Sequence, residues 1–239
     1  RNQATLITKR IMQIYREGQG YKDIAILYRS TYQSAEIQLE LSKQNIPYVV
    51  RGGMRYFEQA HIKDVISYLK IMANPQDEIA LKRILLMYEG IGQKRADKIW
   101  QQIQKFTSLA DIINFEMKIT GKAGIGWTRV VETFKHLDSL DKQQKGFIAE
   151  AIEYVMQYGY EDYLKNNYEN YRDRLDDISQ LTNFVAMYDN LETLLSDVIL
   201  SEKFAGAHEY DKKAVILSTI HQAKGLEWSV VFVIGLRDG

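Results

Sequence analysis

A chain of 239 residues is long enough to bury a full core and stands near the length at which one domain becomes two. Apolar residues at 46% and charged residues at 26% describe a globular protein, and 31 basic against 31 acidic side chains leave no net charge to advertise nucleic acid, so any such surface must be local. No run approaches the ~18 apolar residues of a membrane span and no charged-then-apolar leader opens the chain, while the lack of cysteine excludes disulfides and thiolate metal sites and four scattered histidines argue against a metal site of any kind. An intracellular protein fits these features. The chain opens on Arg1 rather than Met and stops directly after a strand, as a piece cut from a larger protein would.

From Ala4 to Arg16 the apolar positions Leu6, Ile7, Ile11, Ile14 and Tyr15 keep the spacing of an amphipathic helix, which Gly18 and Gly20 end. Ile24–Tyr28 then reads as a strand buried on both faces. Its carboxyl end delivers Arg29, Ser30 and Thr31 to a helix over roughly Gln33–Lys43. A turn at Asn45-Ile46-Pro47 leads to a short strand, Tyr48–Val50. Strand, helix and strand joined by brief loops predict a βαβ unit of a mostly parallel sheet. Gly52 and Gly53 permit backbone geometry that a side chain would forbid, and they leave Arg55, Tyr56 and Phe57 on a loop. The two aromatics suit either a cap on the core or a functional surface. A helix follows through His61–Leu69 to about Ala73.

Asn74-Pro75 breaks that helix, and the sheet pattern does not return until residue 214. Helices are expected over Ile79–Tyr88 and Gln93–Lys105, separated by Glu89-Gly90-Ile91-Gly92. Helix, Gly-x-Gly and helix, followed by Lys94, Arg95 and Lys98, is similar to a helix-hairpin-helix, which aims backbone N–H groups and a helix N-terminus at a phosphate. A tight interhelical turn needs the same glycines. Gly124-Ile125-Gly126 has only Arg129 behind it and reads as a turn. Between Glu150 and Leu200 eleven acidic and three basic residues give a net charge of −8, so that segment should not lie along DNA. Its tyrosines, in a segment with few basic residues, are expected to pack helices, and Ile178, Leu181, Val185, Tyr188, Leu191, Leu195 and Val198 form one apolar stripe of a last helix.

Two further buried strands, Val215–Ser218 and Val230–Ile234, flank Thr219-Ile-His-Gln-Ala-Lys-Gly-Leu-Glu227. Loops at the carboxyl ends of parallel strands are where α/β sheets hold ligands. This one offers a hydroxyl (Thr219), an imidazole (His221), an ammonium (Lys224), an unencumbered backbone (Gly225) and a carboxylate (Glu227), a set suited to phosphate and sugar. For a sheet that begins in residues 1–75 to resume after 212, the strands on both sides of the helical block must share it. The expected organisation is a sheet domain over 1–75 and 212–239 with an inserted helical lobe over 76–211.

T-x-H-x-A-K-G-L-E followed by an apolar strand resembles motif V of the UvrD/PcrA/Rep family of superfamily 1 DNA helicases, with Trp228 and Ser229 where the family often has Phe and Pro. Gly52-Gly-Met-Arg-Tyr-Phe-Glu58 and the following Ile62-Lys63-Asp64 resemble a second family segment, in which Gln59 and His61 stand where Arg and Glu are usual. The family also carries a GIG segment at the place of Gly90–Gly92. Across essentially the whole chain the resemblance implies an α/β fold: the RecA-like parallel sheet of the 2A domain, interrupted by the all-helical 2B insertion. It implies a part of an ATP-dependent 3′-to-5′ DNA helicase, cytoplasmic and nucleoid-associated, that uses ATP and Mg²⁺ as a full-length protein. Glu227 would accept a hydrogen bond from the ribose, with Lys224 and Gly225 on the phosphate side. Arg29, Thr31, Arg55, Thr219 and His221 would face single-stranded DNA, and Gly90, Gly92, Lys94, Arg95 and Lys98 would meet duplex at a single/double-strand junction. Partners would be DNA, an N-terminal RecA-like domain of the same chain and a regulatory protein on the helical lobe. No G-x-x-x-x-G-K-[ST] and no Mg²⁺-holding acidic pair occur, so these residues alone are expected to lack ATPase activity and tightly bound cofactor. The alternatives are a non-catalytic DNA-binding or protein-docking module on the same fold, or the motor half of a helicase–nuclease.

Overall fold

The computed structural model describes residues 2–203 and 213–235. Two compact units emerge, Arg1–Gln59 with Ser196–Gly239, and Ala60–Leu195.

The first unit is built on a four-stranded, all-parallel sheet. β1 (Ile24–Tyr28) and β2 (Tyr48–Arg51) come from the start of the chain and β3 (Val215–Thr219) and β4 (Val230–Val233) from its end. Across the sheet the order is β2-β3-β1-β4, so the early and late segments interleave. Ile216 pairs with Val49 on one side and Ala25 on the other, and Ile26 is opposite Phe232. Strands buried on both faces need near-continuous apolar runs, which IAILY and VILST supply. Thr219 extends β3 one residue beyond the expected Ser218, and Arg51 does the same for β2. α1 (Asn2–Arg16) and α2 (Ala35–Lys43) lay Ile11, Ile14, Ile37 and Leu41 on one face, against Ile24, Ile26, Tyr28, Tyr48, Val215 and Leu217. Those strand residues alternate along the chain, as one face of a pleated sheet requires. Burial pushes the Tyr28 phenol up to about 12, so it sits in this core as a neutral hydroxyl.

The second unit is helical: α3 (Ala60–Ala73), α4 (Glu78–Leu85), α5 (Gln93–Ile103), α6 (Leu109–Asn114), α7 (Lys122–Ser139), α8 (Phe147–Val155), α9 (Glu161–Asn167), α10 (Tyr171–Val185) and the start of α11 (Leu191–Lys203). The first unit boundary falls at 59/60, where 75/76 was expected, because α3 packs on α4, α8 and α10 and so goes with the helices; the second falls within α11, at 195/196. Residues 204–211, at the expected end of the lobe, lie outside the described residues.

Two sequence expectations are corrected. Gly124-Ile125-Gly126 is not a turn but part of the first turns of α7. A Cβ at Gly124 would collide with the carbonyl oxygen of Ile119, and one at Gly126 would stand 3.0 Å from Tyr88 Cβ and 3.3 Å from Ile91 Cδ1, so these glycines make room for neighbouring backbone and side chains. The apolar stripe from Ile178 to Val198 belongs to two helices rather than one. Asn190 interrupts it, its Oδ1 accepting the backbone N–H of Thr193 at 2.9 Å as an N-cap does.

A buried polar knot holds the helical unit. Asp64, 5% exposed on α3, accepts Arg83 Nε from α4 at 2.6 Å and the Tyr160 hydroxyl at 2.7 Å. The Tyr68 hydroxyl lies 3.2 Å from that of Tyr88. Burial, with Asp64 beside it, drives the Tyr160 phenol far above its ordinary value, so it stays a donor to the carboxylate. His61 uses both ring nitrogens: Arg174 can only donate, so Nδ1 accepts from it at 3.0 Å and Nε2–H donates to Asp177 at 3.1 Å. His61 on α3 thus finds both its partners on α10. Asp64→Ala should cost about 2–3 kcal/mol in urea unfolding, below the ~3–5 of a fully buried pair because Arg83 still reaches water. Tyr160→Phe should cost about 1–3 kcal/mol, the value of one hydrogen bond to a charged group.

Candidate functional site

In the sheet unit the candidate residues gather on loops at the carboxyl ends of adjacent strands. β1 runs into Arg29, which is exposed, and into a 3₁₀ turn at Thr31–Ser34 that leaves Thr31 half-buried. Ser30 and Gln33 form a capping box there. Gln33 Oε1 accepts the backbone N–H groups of Arg29 at 2.9 Å and Ser30 at 3.1 Å, which fixes where Arg29 and Thr31 leave the sheet.

β3 ends in the turn that follows Thr219. The Ile220 N–H donates to Tyr28 O at 2.9 Å, holding the β3 loop beside the end of β1. Thr219 Oγ1 accepts the Gln222 N–H at 3.3 Å and Thr219 O accepts the Ala223 N–H at 3.0 Å, so this threonine shapes its own loop. His221, Lys224, Gly225 and Glu227 are all exposed, and the side chains of Lys224 and Glu227 have no polar partner among the described residues. Gly225 has φ +81° with open space where a Cβ would point, so its backbone conformation, and not crowding, demands glycine. Together these residues offer a cation, an approachable backbone and a carboxylate on one short loop.

Arg55 follows β2, the strand on the other side of β3, but is packed more than the sequence suggested. Its guanidinium lies 4.8 Å above the Tyr48 ring, Nη2 donates to Tyr48 O at 3.4 Å, and Nη1 is buried with no hydrogen-bond partner among the described residues. Tyr56 and Phe57, left open between core and surface, are 1% and 2% exposed and cap the core edge-to-face. The fully buried Gln38 anchors this loop from α2 by accepting the Tyr56 N–H at 3.3 Å.

The second candidate site is in the helical unit. Gly90 adopts φ +83°, and a Cβ there would stand 2.7 Å from the Ala123 nitrogen and 3.0 Å from Lys122 Cβ, so the turn is wedged against the start of α7. Gly92 is the N-cap of α5, with open space before it and no side-chain cap. Lys94, Arg95 and Lys98 are exposed on the first turns of α5, but Arg95 Nη1 reaches back to Gly90 O at 2.7 Å. Lys122 pairs with Glu89, and Lys82 bridges Glu78 at 2.5 Å and Asp97 at 2.6 Å. Among the described residues no group of three or more His, Asp or Glu side chains could hold a metal ion.

The family described as UvrD-like helicase C-terminal domain matches residues 1–239. The chain belongs to this family. Among curated proteins it is similar to the ATP-dependent DNA helicases PcrA of Staphylococcus epidermidis and of Staphylococcus aureus, 32% identical to each over 258 aligned residues that take in 100% of this chain and 34% of the relative. It thus spans about a third of the length of those relatives. For a UvrD-like C-terminal domain, an all-parallel sheet accompanied by many helices is the expected fold.

Sequence reasoning missed three glutamines. Gln33 was legible, since Ser30-x-x-Gln33 is a capping-box spelling, whereas nothing near Gln38 or Gln222 in sequence reveals a partner. Gly90→Ala should lower the stability of the helical unit by about 1–3 kcal/mol, from a left-handed φ forced on a side chain, while Gly92→Ala should cost under about 1 kcal/mol as an N-cap exchange. Chemical denaturation of the two variants side by side checks the order.

Proposed function

We propose that this chain is the 2A domain, carrying its 2B insertion, of an ATP-dependent DNA helicase that moves 3′ to 5′ along one strand. The observation that carries the reading is the gathering of Arg29, Thr31, Thr219, His221, Lys224 and Glu227 on neighbouring strand-end loops of one parallel sheet. Glu227 accepts a hydrogen bond from the nucleotide ribose, and Lys224 with the backbone at Gly225 lies on the phosphate side. Fit to a nucleotide is supported by the exposure of all three and by the side-chain-free backbone at Gly225. Mg²⁺ and the phosphate cradle come from an N-terminal RecA-like domain of the same protein, a reading supported by the lack of G-x-x-x-x-G-K-[ST] in the sequence and of a carboxylate cluster among the described residues.

Single-stranded DNA runs over Arg29, Thr31, Arg55, Thr219 and His221. For Arg55 the support is its place on the loop that follows β2, beside the end of β3. Gly90, Gly92, Lys94, Arg95 and Lys98 meet duplex through the N-terminus of α5, supported by the uncapped first turn and the exposed lysines. ATP binding closes the cleft, hydrolysis reopens it, and alternating grip advances the strand. The protein works in the cytoplasm on the nucleoid, and a regulatory protein restrains the helical lobe. No helix among the described residues is long and apolar enough to cross a membrane.

In the full-length protein, Glu227→Ala should raise the KM for ATP; steady-state ATPase kinetics with an unchanged KM would remove the ribose assignment. Reversing Lys94 and Arg95 to Glu should weaken binding to a tailed duplex and flatten the log–log salt dependence by about 1–2, at roughly 0.9 per phosphate contact. Fluorescence anisotropy across a salt series reads that slope, and an unaltered slope would leave Gly90–Gly92 as an interhelical turn and nothing more.

A further inference from the structure

Two glutamines lie flat against left-handed glycines at the carboxyl edge of the sheet. Gln222, on the β3 loop, crosses Gly52 on the β2 loop so closely that a Cβ there would stand 2.6 Å from Gln222 Cγ and 2.7 Å from Cδ. Gly52 has φ +75° and is three residues before Arg55. At its base Gln222 is tied to the strand, because its N–H donates to Thr219 Oγ1. Gln33, on the β1 loop, crosses Gly235 just beyond β4, where a Cβ would stand 2.6 Å from Gln33 Cδ; Gly235 has φ +71°. The other end of the same amide holds the Arg29 and Ser30 N–H groups. Between these two contacts, the Ile220 N–H bonded to Tyr28 O joins the β3 loop to β1.

We propose that Gln222 and Gln33 are positioning residues that link all four strand-end loops into one surface, so that the loop bearing Lys224 and Glu227 transmits its state to the loops bearing Arg55, Arg29 and Thr31. The inference rests on the proposed roles of those loops. Its physical basis is a contiguous path: Gly52, Gln222, Thr219–Ile220, Tyr28, Arg29–Ser30, Gln33 and Gly235, each step a packed contact, a hydrogen bond or the chain itself. A glutamine suits the position because its unbranched stem covers a bare Cα while its amide serves backbone groups or solvent. A glycine suits the other side because any Cβ would push that stem away. Gln222 is exposed and contributes nothing to the core, so its removal tests linkage and not folding.

The measurement is the dissociation constant of a fluorescein-labelled oligothymidylate for the full-length protein, with and without a non-hydrolysable ATP analogue; the ratio of the two is the coupling between the loops. Gln222→Ala should shrink that ratio by about 5-fold or more, the scale of ordinary site-to-site coupling. Gly52→Ala, which displaces the same side chain from the opposite loop, should shrink it equally, and Gln222→Met, which keeps an unbranched stem over Gly52, should restore it. Loss of stability alone would lower Tm and leave the ratio where it was. A wild-type ratio in Gln222→Ala overturns the link while leaving the loop assignments standing. A wild-type protein whose affinity for oligothymidylate ignores the nucleotide overturns those assignments, and the link with them.

Discussion

The register of β3 between β2 and β1 is the constraint on which the rest of the sheet unit depends. β1 and β2 lie side by side in sequence but not in space, since the slot between them is filled by a strand that arrives more than 160 residues later. The Val215 N–H donates to Pro47 O at 2.9 Å where the strand enters, and the Ile220 N–H donates to Tyr28 O where it leaves. A slip by one residue would turn Val215 and Leu217 out of the core and aim Thr219 and its loop elsewhere. Position at the carboxyl edge is therefore set by apolar packing well below it. The chemistry of the loop is polar, but its placement is a hydrophobic property.

Glycine does two different jobs in this chain, which a sequence does not distinguish. Gly225 has open space around it and is needed for its positive φ, while Gly126 has helical backbone and is needed because Tyr88 and Ile91 lie close. Gly90 meets both demands, with φ +83° and the Ala123 nitrogen against it. The two Gly-Ile-Gly segments, identical as text, are thus a turn and a helix face, and they meet: Gly90 abuts the start of the helix that contains Gly124 and Gly126. Spacing alone gave no ground for pairing them, because the contact is between residues more than thirty apart.

Much of the sheet was legible because buried parallel strands leave an unmistakable apolar run, and four such runs fall at Ile24, Tyr48, Val215 and Val230. The first residues of the strand-end loops were legible for the same reason. Their partners were not. Arg55 stacks on Tyr48, a neighbour across the loop, and His61 bonds Asp177 and Arg174 on a helix over a hundred residues away. Side chains with several equally suitable partners acquire one only when the fold chooses it. The break at Asn190 shows the reverse case: a local signal, Asn followed by Leu-Glu-Thr, was present but hidden beneath an apolar stripe that continues across two helices.

Charge tells the same story at the helical turn. Six cations lie near Gly90–Gly92 in sequence or space, yet most are already engaged. Lys82 is held by Asp97 and Glu78, and Lys122 by Glu89; the hydrogen bonds to these carboxylates raise both ammonium groups above the ordinary lysine value. Arg83 is committed to Asp64, and Arg95 turns back to Gly90 O. Lys94 and Lys98 remain, one helical turn apart on α5 and therefore on one face. A phosphate at this turn would meet these two ammonium groups, the part of the exposed Arg95 guanidinium not turned to Gly90 O, and the backbone N–H groups that open α5, none of which reads a base. Any grip built here is a grip on backbone shape, independent of sequence and strongly weakened by salt.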